Sequence, residues 1–165
     1  MNSVEIYKKN SNEKQLKAND LLFSSLDFSE FNKKFCDELI PIYYKGTSII
    51  FGLKGDVIVA PFSAPFSMVR YSSQDVKYSQ IYSLVEKIKK TVDDNSYKEA
   101  RITLPPYFYN DSIISKLSHS LGELGFQLLY RDINSHIDIR NEIVINSSTR
   151  KAIKSSDKHN NDFSK

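Results

Sequence analysis

The run 56–71, D-V-I-V-A-P-F-S-A-P-F-S-M-V-R-Y, constrains the fold more than any other stretch. It opens as a strand, β-branched and apolar from Val57 to Ala60, and is then cut by Pro61 and Pro65. Proline has no backbone N–H for a sheet ladder, so it sits at edges, bulges and strand starts. Ser63, Ala64 and Ser67 are small, and Phe62, Phe66 and Tyr71 are aromatic. A strand broken in this way frees backbone groups, and buried ones must find new partners. A bulged edge strand, a second loop or a ligand would each supply them.

Around this run the chain alternates strand and helix signals. Residues 4–7 read as a short strand and 11–23 as a helix. Phe28, Phe31, Phe35 and Leu39 make a helical stripe, with Asp27 as N-cap, Glu30 at the capping-box spacing and Pro41 closing the helix. Apolar runs at 42–45, 48–53 and 57–60 follow, separated by gaps bearing Gly46 and Gly55, which predict an antiparallel meander. Tyr78, Ile81, Val85, Ile88 and Val92 give the strongest helical pattern, spanning 73–94. A strand at 101–104 stops at Pro105 and Pro106, and a helix at 111–124 ends on Gly125. Residues 126–139 read as strand, with Asp132, Asn134, His136 and Asp138 on one face. After Ile145 the chain turns polar and basic, which predicts a frayed helix and a disordered end.

Composition removes several functions. A net charge of +3, scattered along 165 residues, gives no nucleic-acid face. The single Cys36 excludes an internal disulfide and a thiolate metal cage, and it reads as a buried thiol. His119, His136 and His159 have no metal-ligand spacing. Ser63, His136 and Asp138 could be drawn as a triad, but no nucleophile elbow supports it. No apolar run reaches the roughly 18 residues of a membrane span, and the N-terminus lacks a signal-peptide core, so a cytoplasmic protein is expected.

The order β-α-α-β-β-β-α-β-α-β-β resembles the GNAT acyltransferase fold. The phrases at 56–66, at 101–109 (R-I-T-L-P-P-Y-F-Y) and at 124–139 (L-G-F-Q-L-L-Y-R-D-I-N-S-H-I-D-I) resemble the first half of bacterial FemAB-like proteins, which join two GNAT-like halves. The segment 147–154, S-S-T-R-K-A-I-K, is similar to the opening of the second half. The resemblance implies an α/β fold with a mixed sheet, an antiparallel meander and helices on both faces. Residues 1–146 would form one GNAT-like domain, and 147–165 a polar, basic tail that begins a missing second half. It implies transfer of an acyl or aminoacyl group to an amine in cell-envelope or surface-saccharide synthesis, with acyl-CoA or aminoacyl-tRNA as donor.

In GNAT folds a glycine-rich loop offers backbone N–H groups to the donor pyrophosphate after the splayed strand. Here the corresponding stretch, 67–73, has no glycine, nor does any position between Gly55 and Gly122. The expectation is an acceptor-binding half that binds no CoA by itself, partnered by a second GNAT-like half. Nucleic acid is not expected apart from a tRNA donor. The alternative is a non-catalytic remnant or protein-interaction module. The expected acceptor crevice is lined by Ser63, Phe66, Tyr107 and Tyr109, with Arg70 at its rim, and suits a saccharide or peptide. Arg101 and His136 are further candidate acceptor contacts, the first through a carboxylate or phosphate, the second on the polar face of 132–138. For Arg101 an internal ion pair with Glu99 or Asp132 is the competing reading. No residue is assigned to catalysis.

Overall fold

A computed structural model describes residues 22–72, 75–133 and 147–162. The chain divides into two compact units, Met1–Arg131 and Asp132–Lys165. The first unit holds a five-stranded mixed sheet. β1 (Glu38–Tyr44), β2 (Thr47–Lys54) and β3 (Val57–Ala60) form the expected antiparallel meander. β4 (Arg70–Tyr71) pairs with the start of β2, and β5 (Glu99–Ile102) lies parallel to β3. The first hairpin turns through Lys45 and Gly46, with φ of 39° and 77°, and the second through Gly55 at 63°. Such left-handed angles suit glycine and match the twist of paired strands.

The meander explains why β2 is buried on both faces. Ile49 and Phe51 join the main core with Ile42, Ile58 and Ala60. Ile50 points the other way, into a smaller cluster with Leu39 and Phe62. α2 (Tyr78–Asp94) covers the first face with Ile81, Leu84, Val85 and Ile88, all fully buried. Each such side chain contributes about 1.5–3 kcal/mol on leaving water. α3 (Asp111–Glu123) packs beside it through Ile113, Ile114 and Leu117. A short helical segment around Leu26 and Cys36 covers the second face.

Four sequence expectations need correction. The helix expected over 27–39 is instead α1 (Leu26–Phe31) followed by a 3₁₀ turn at Lys33–Phe35. Its apolar stripe does not share a buried face: Phe31 and Phe35 are exposed, while Leu39 is buried in β1. Pairing with β2 overrides the local pattern from Glu38 onward. Second, the cap is Ser25, whose hydroxyl accepts from Phe28 N–H at 3.1 Å, not Asp27. Pro41 closes no helix and lies within β1, the outer strand, where a missing N–H costs no ladder bond. Third, α2 begins at Tyr78, not near Ser73, because Lys77 is extended and its N–H is taken by the Gln80 side chain at 2.9 Å.

Fourth, residues 126–133 form no strand. Gly125, at φ 85°, ends α3, and Phe126 N–H returns to the Leu121 carbonyl at 2.9 Å. Leu128, Leu129 and Tyr130 are then exposed, with no sheet partner among the described residues. The rest of that expected strand, 134–139, lies outside the described residues, as do the strand at 4–7 and most of the helix at 11–23. Leu22–Ser24 is a 3₁₀ turn. In the second unit α4 spans Ser147–Asp162, where the sequence predicts a frayed helix and then a disordered end.

Candidate functional site

The interrupted strand is where the two prolines place it. β3 ends at Ala60, and the Ala60–Pro61 peptide is cis. Thr103 N–H still donates to Ala60 C=O at 2.9 Å, but the Thr103 carbonyl accepts from Ser67 N–H, also at 2.9 Å. In an uninterrupted parallel ladder the second donor would lie two residues after Ala60. The chain between is looped out, and the strand resumes toward β4. Beyond Thr103 the two lines part, since Pro105 and Pro106 have no N–H to donate.

Several of the freed backbone groups find protein partners. Met68 N–H donates to Ser24 Oγ at 3.1 Å, and Lys54 Nζ donates to the Phe62 carbonyl at 2.9 Å. Ser72 N–H donates to Gly46 C=O at 2.9 Å. Phe62 packs against β2: a Cβ on Gly52 would stand 2.5 Å from Phe62 Cγ. The sequence left open whether a loop or a ligand takes these groups; the helical segment at 22–36, Lys54 and the strand lines take them.

The excursion places Phe66 against Tyr109, with ring centroids 5.0 Å apart. This brings together two of the expected crevice residues. The contact belongs to a longer row. Phe28 meets Phe23 edge-on at 5.4 Å, Phe23 meets Phe66 edge-on at 5.5 Å, and Tyr109 stacks on Phe108 at 4.9 Å and 27°. These spacings are those of favourable aromatic pairs. At its exposed end the 3₁₀ turn Tyr107–Tyr109 and the start of α3 line an open depression of about 590 Å³, formed by Tyr107, Phe108, Tyr109, Asn110 and Asp111. Tyr107, Phe108 and Tyr109 are each about half exposed.

Asn110 fixes this turn. Its Oδ1 accepts from Ile113 N–H at 3.1 Å and caps α3, while its Nδ2 donates to the Tyr71 hydroxyl at 3.0 Å. Asp111 Oδ1 accepts from Ser112 N–H at 2.7 Å. Phe23, Phe108, Asn110 and Asp111 were missing from the sequence reading of the site. An Asn-Asp pair before an apolar-periodic segment is a helix-start signal and would have marked two of them.

The other expected residues lie elsewhere. Ser63 donates to Asn32 Oδ1 at 3.2 Å and does not line the depression. Arg70 sits in β4 opposite Ser48, so it shares the second face of the sheet and does not line the depression either. Arg101 is exposed on β5 and pairs with Glu99, with Nε 2.8 Å from Oε1. That is the internal pair weighed against an anion contact. His136 lies outside the described residues.

Two further groups are chemically notable. Burial pushes the Cys36 thiol up, against the pull of Lys54, so it stays protonated. Tyr78 donates to the Glu123 carboxylate, and this bond raises the phenol above its ordinary value. His119 Nε2 lies 3.5 Å from the other Glu123 oxygen. Among the described residues no group of three or more His, Cys, Asp or Glu could hold a metal, and no helix is long and apolar enough to cross a membrane.

Comparison with known proteins found no matching family model, curated protein or solved structure.

Proposed function

We propose that this chain is the N-terminal, acceptor-binding half of a FemAB-like N-acyltransferase or aminoacyltransferase acting on a cell-envelope or surface-saccharide precursor in the cytoplasm. Catalysis would be shared with a second GNAT-like half. The observation that carries this reading is the Phe66–Tyr109 contact beside the place where the parallel strands part. In open α/β sheets ligands favour the crevice beyond the carboxyl ends of parallel strands. Here that place is aromatic, half exposed and furnished with phenol hydroxyls.

The donor belongs to the other half in this reading. Pyrophosphate binding at such a place uses open backbone N–H groups. The N–H groups of Ser67, Met68 and Ser72 are already bonded within the protein. A second reading, a protein-interaction module, draws on Phe31, which is 80% exposed on α1.

The test is calorimetric titration of the chain with a muramoyl-peptide fragment and a surface-glycan repeat. Binding of either should weaken by about 1–3 kcal/mol in Tyr107→Phe or Tyr109→Phe, which remove only a hydroxyl. If both variants bind as the parent does and only the melting temperature falls, the tyrosines are lids over the core and the acceptor reading fails.

A further inference from the structure

Among the described residues the sheet ends on two strands, β1 and β5. Their outer edges differ. β1 is blunted against a further strand: Pro41 stands in its middle without an N–H, and Lys87 Nζ donates to the Tyr43 carbonyl at 2.8 Å. β5 has no such guard. The Thr103 N–H and C=O both face the line of Ala60 and Ser67. Backbone groups alternate along a strand, so those of Arg101 also face β3, and those of Ala100 and Ile102 face outward. No strand among the described residues takes them.

The same unit holds a run that fits this edge. After Gly125 the residues 127–131, Q-L-L-Y-R, form neither helix nor strand. Leu128, Leu129 and Tyr130 are 72%, 74% and 64% exposed. An apolar, β-prone run left in water and an unguarded sheet edge are the two halves of a strand addition.

Charge and pattern select the register. Ala100 and Ile102 pack toward the main core, while Arg101 and its partner Glu99 occupy the other face of β5. Set antiparallel, with Tyr130 opposite Ala100 and Leu128 opposite Ile102, the run lays its apolar side chains beside the core and Arg131 opposite Glu99. Glu99 and Arg131 then form a non-hydrogen-bonded pair, the kind in which side chains come closest. A parallel setting with Leu128 and Tyr130 on the same two residues carries Arg131 past Arg101, away from Glu99. Direction also names the occupant. Within one chain a strand that follows β5 through α3 returns parallel to β5, so the antiparallel setting belongs to a second copy. Two copies related by a two-fold axis each offer one edge and one run, and the exchange closes at two.

We infer that this chain forms a two-fold dimer in which residues 127–131 of each copy add as an antiparallel strand to β5 of the other. The dimer stands apart from the acceptor reading, since neither the β5 edge nor the run lines the depression.

The experiment is sedimentation equilibrium of the full chain over a concentration series, with hydrogen exchange followed at the Ala100 and Ile102 amides. A reversible monomer–dimer equilibrium is expected, and those amides should exchange slowly in the dimer and fast in the monomer. Leu128→Pro removes an N–H directed at Ile102, in a run outside helix and strand. It should abolish the dimer and keep the melting temperature of the dilute parent. Arg131→Glu meets Glu99 twice in a two-fold dimer and should weaken it about tenfold. Adding Glu99→Arg to that variant should restore it. A chain that sediments as a monomer throughout would overturn the proposal. So would a dimer that persists in both Leu128→Pro and Arg131→Glu, or one that leaves the two amides fast. Slow exchange of these amides in the monomer would mean that the edge is already covered, and would overturn it as well. A charge swap that restores nothing would overturn the antiparallel register.

Discussion

Gly52 carries no side chain because Phe62 occupies the place of one. The sequence shows a glycine inside an apolar strand, which signals close approach of another group without naming it. The structure names the ring two residues into the excursion. Gly52→Ala should therefore destabilise by about 1–3 kcal/mol through overpacking, read from denaturant midpoints; an unchanged midpoint would mean that Phe62 moves aside freely. Ser48 poses the opposite case. Its Oγ is fully buried without a hydrogen-bond partner among the described residues. Removing an orphaned hydroxyl is neutral or stabilising, so Ser48→Ala should melt at or above the parent temperature. Tyr78 gives a pH effect. Its folded pKa is raised, so the contribution of its bond to Glu123 is fully present below the ordinary tyrosine value of about 10 and is lost as pH rises through the folded value. Glu123→Gln should lower the Tyr78 titration midpoint in tyrosine-labelled NMR. At this scale, residue type was legible and partnership was not: Tyr107 and Tyr109 follow visibly from the Pro pair, whereas Arg101 looked equally ready for an anion or for Glu99.

At the scale of elements, the interrupted strand was the most legible feature, because proline withdraws a donor wherever it stands. The meander was legible from its glycines, and α2 and α3 from periodicity that tertiary packing agrees with. The helix over 27–39 failed because helical spacing of Phe31 and Phe35 reflects no shared buried face. The expected strand at 126–133 shows a β-prone run with no sheet partner among the described residues. Asn110 joins two elements, capping α3 and bonding Tyr71 of β4. Asn110→Ala should cost about 1–2 kcal/mol, the range for loss of a cap. Asn110→Asp keeps the cap acceptor and should recover most of it. Equal losses in the two variants would place the stability in the Tyr71 bond instead.

For the whole molecule, the same interruption organises both the fold and the proposed site. It turns Phe66 toward Tyr109, and it sends the backbone that a donor phosphate would need into bonds with Thr103, Ser24 and Gly46. In the proposed reading, an acceptor surface and a loop closed to a donor are two consequences of one break in one strand. The lack of glycine over 67–73 was legible in sequence, but the partners that take the Ser67, Met68 and Ser72 N–H groups come from distant segments and were not. Titration of the labelled chain with acetyl-CoA, followed at the amides of Ser67, Met68 and Ser72, tests this most directly. The account predicts that none of the three moves and that calorimetry gives no binding heat. Low-micromolar binding, about −8 kcal/mol, with shifts at those amides would contradict it.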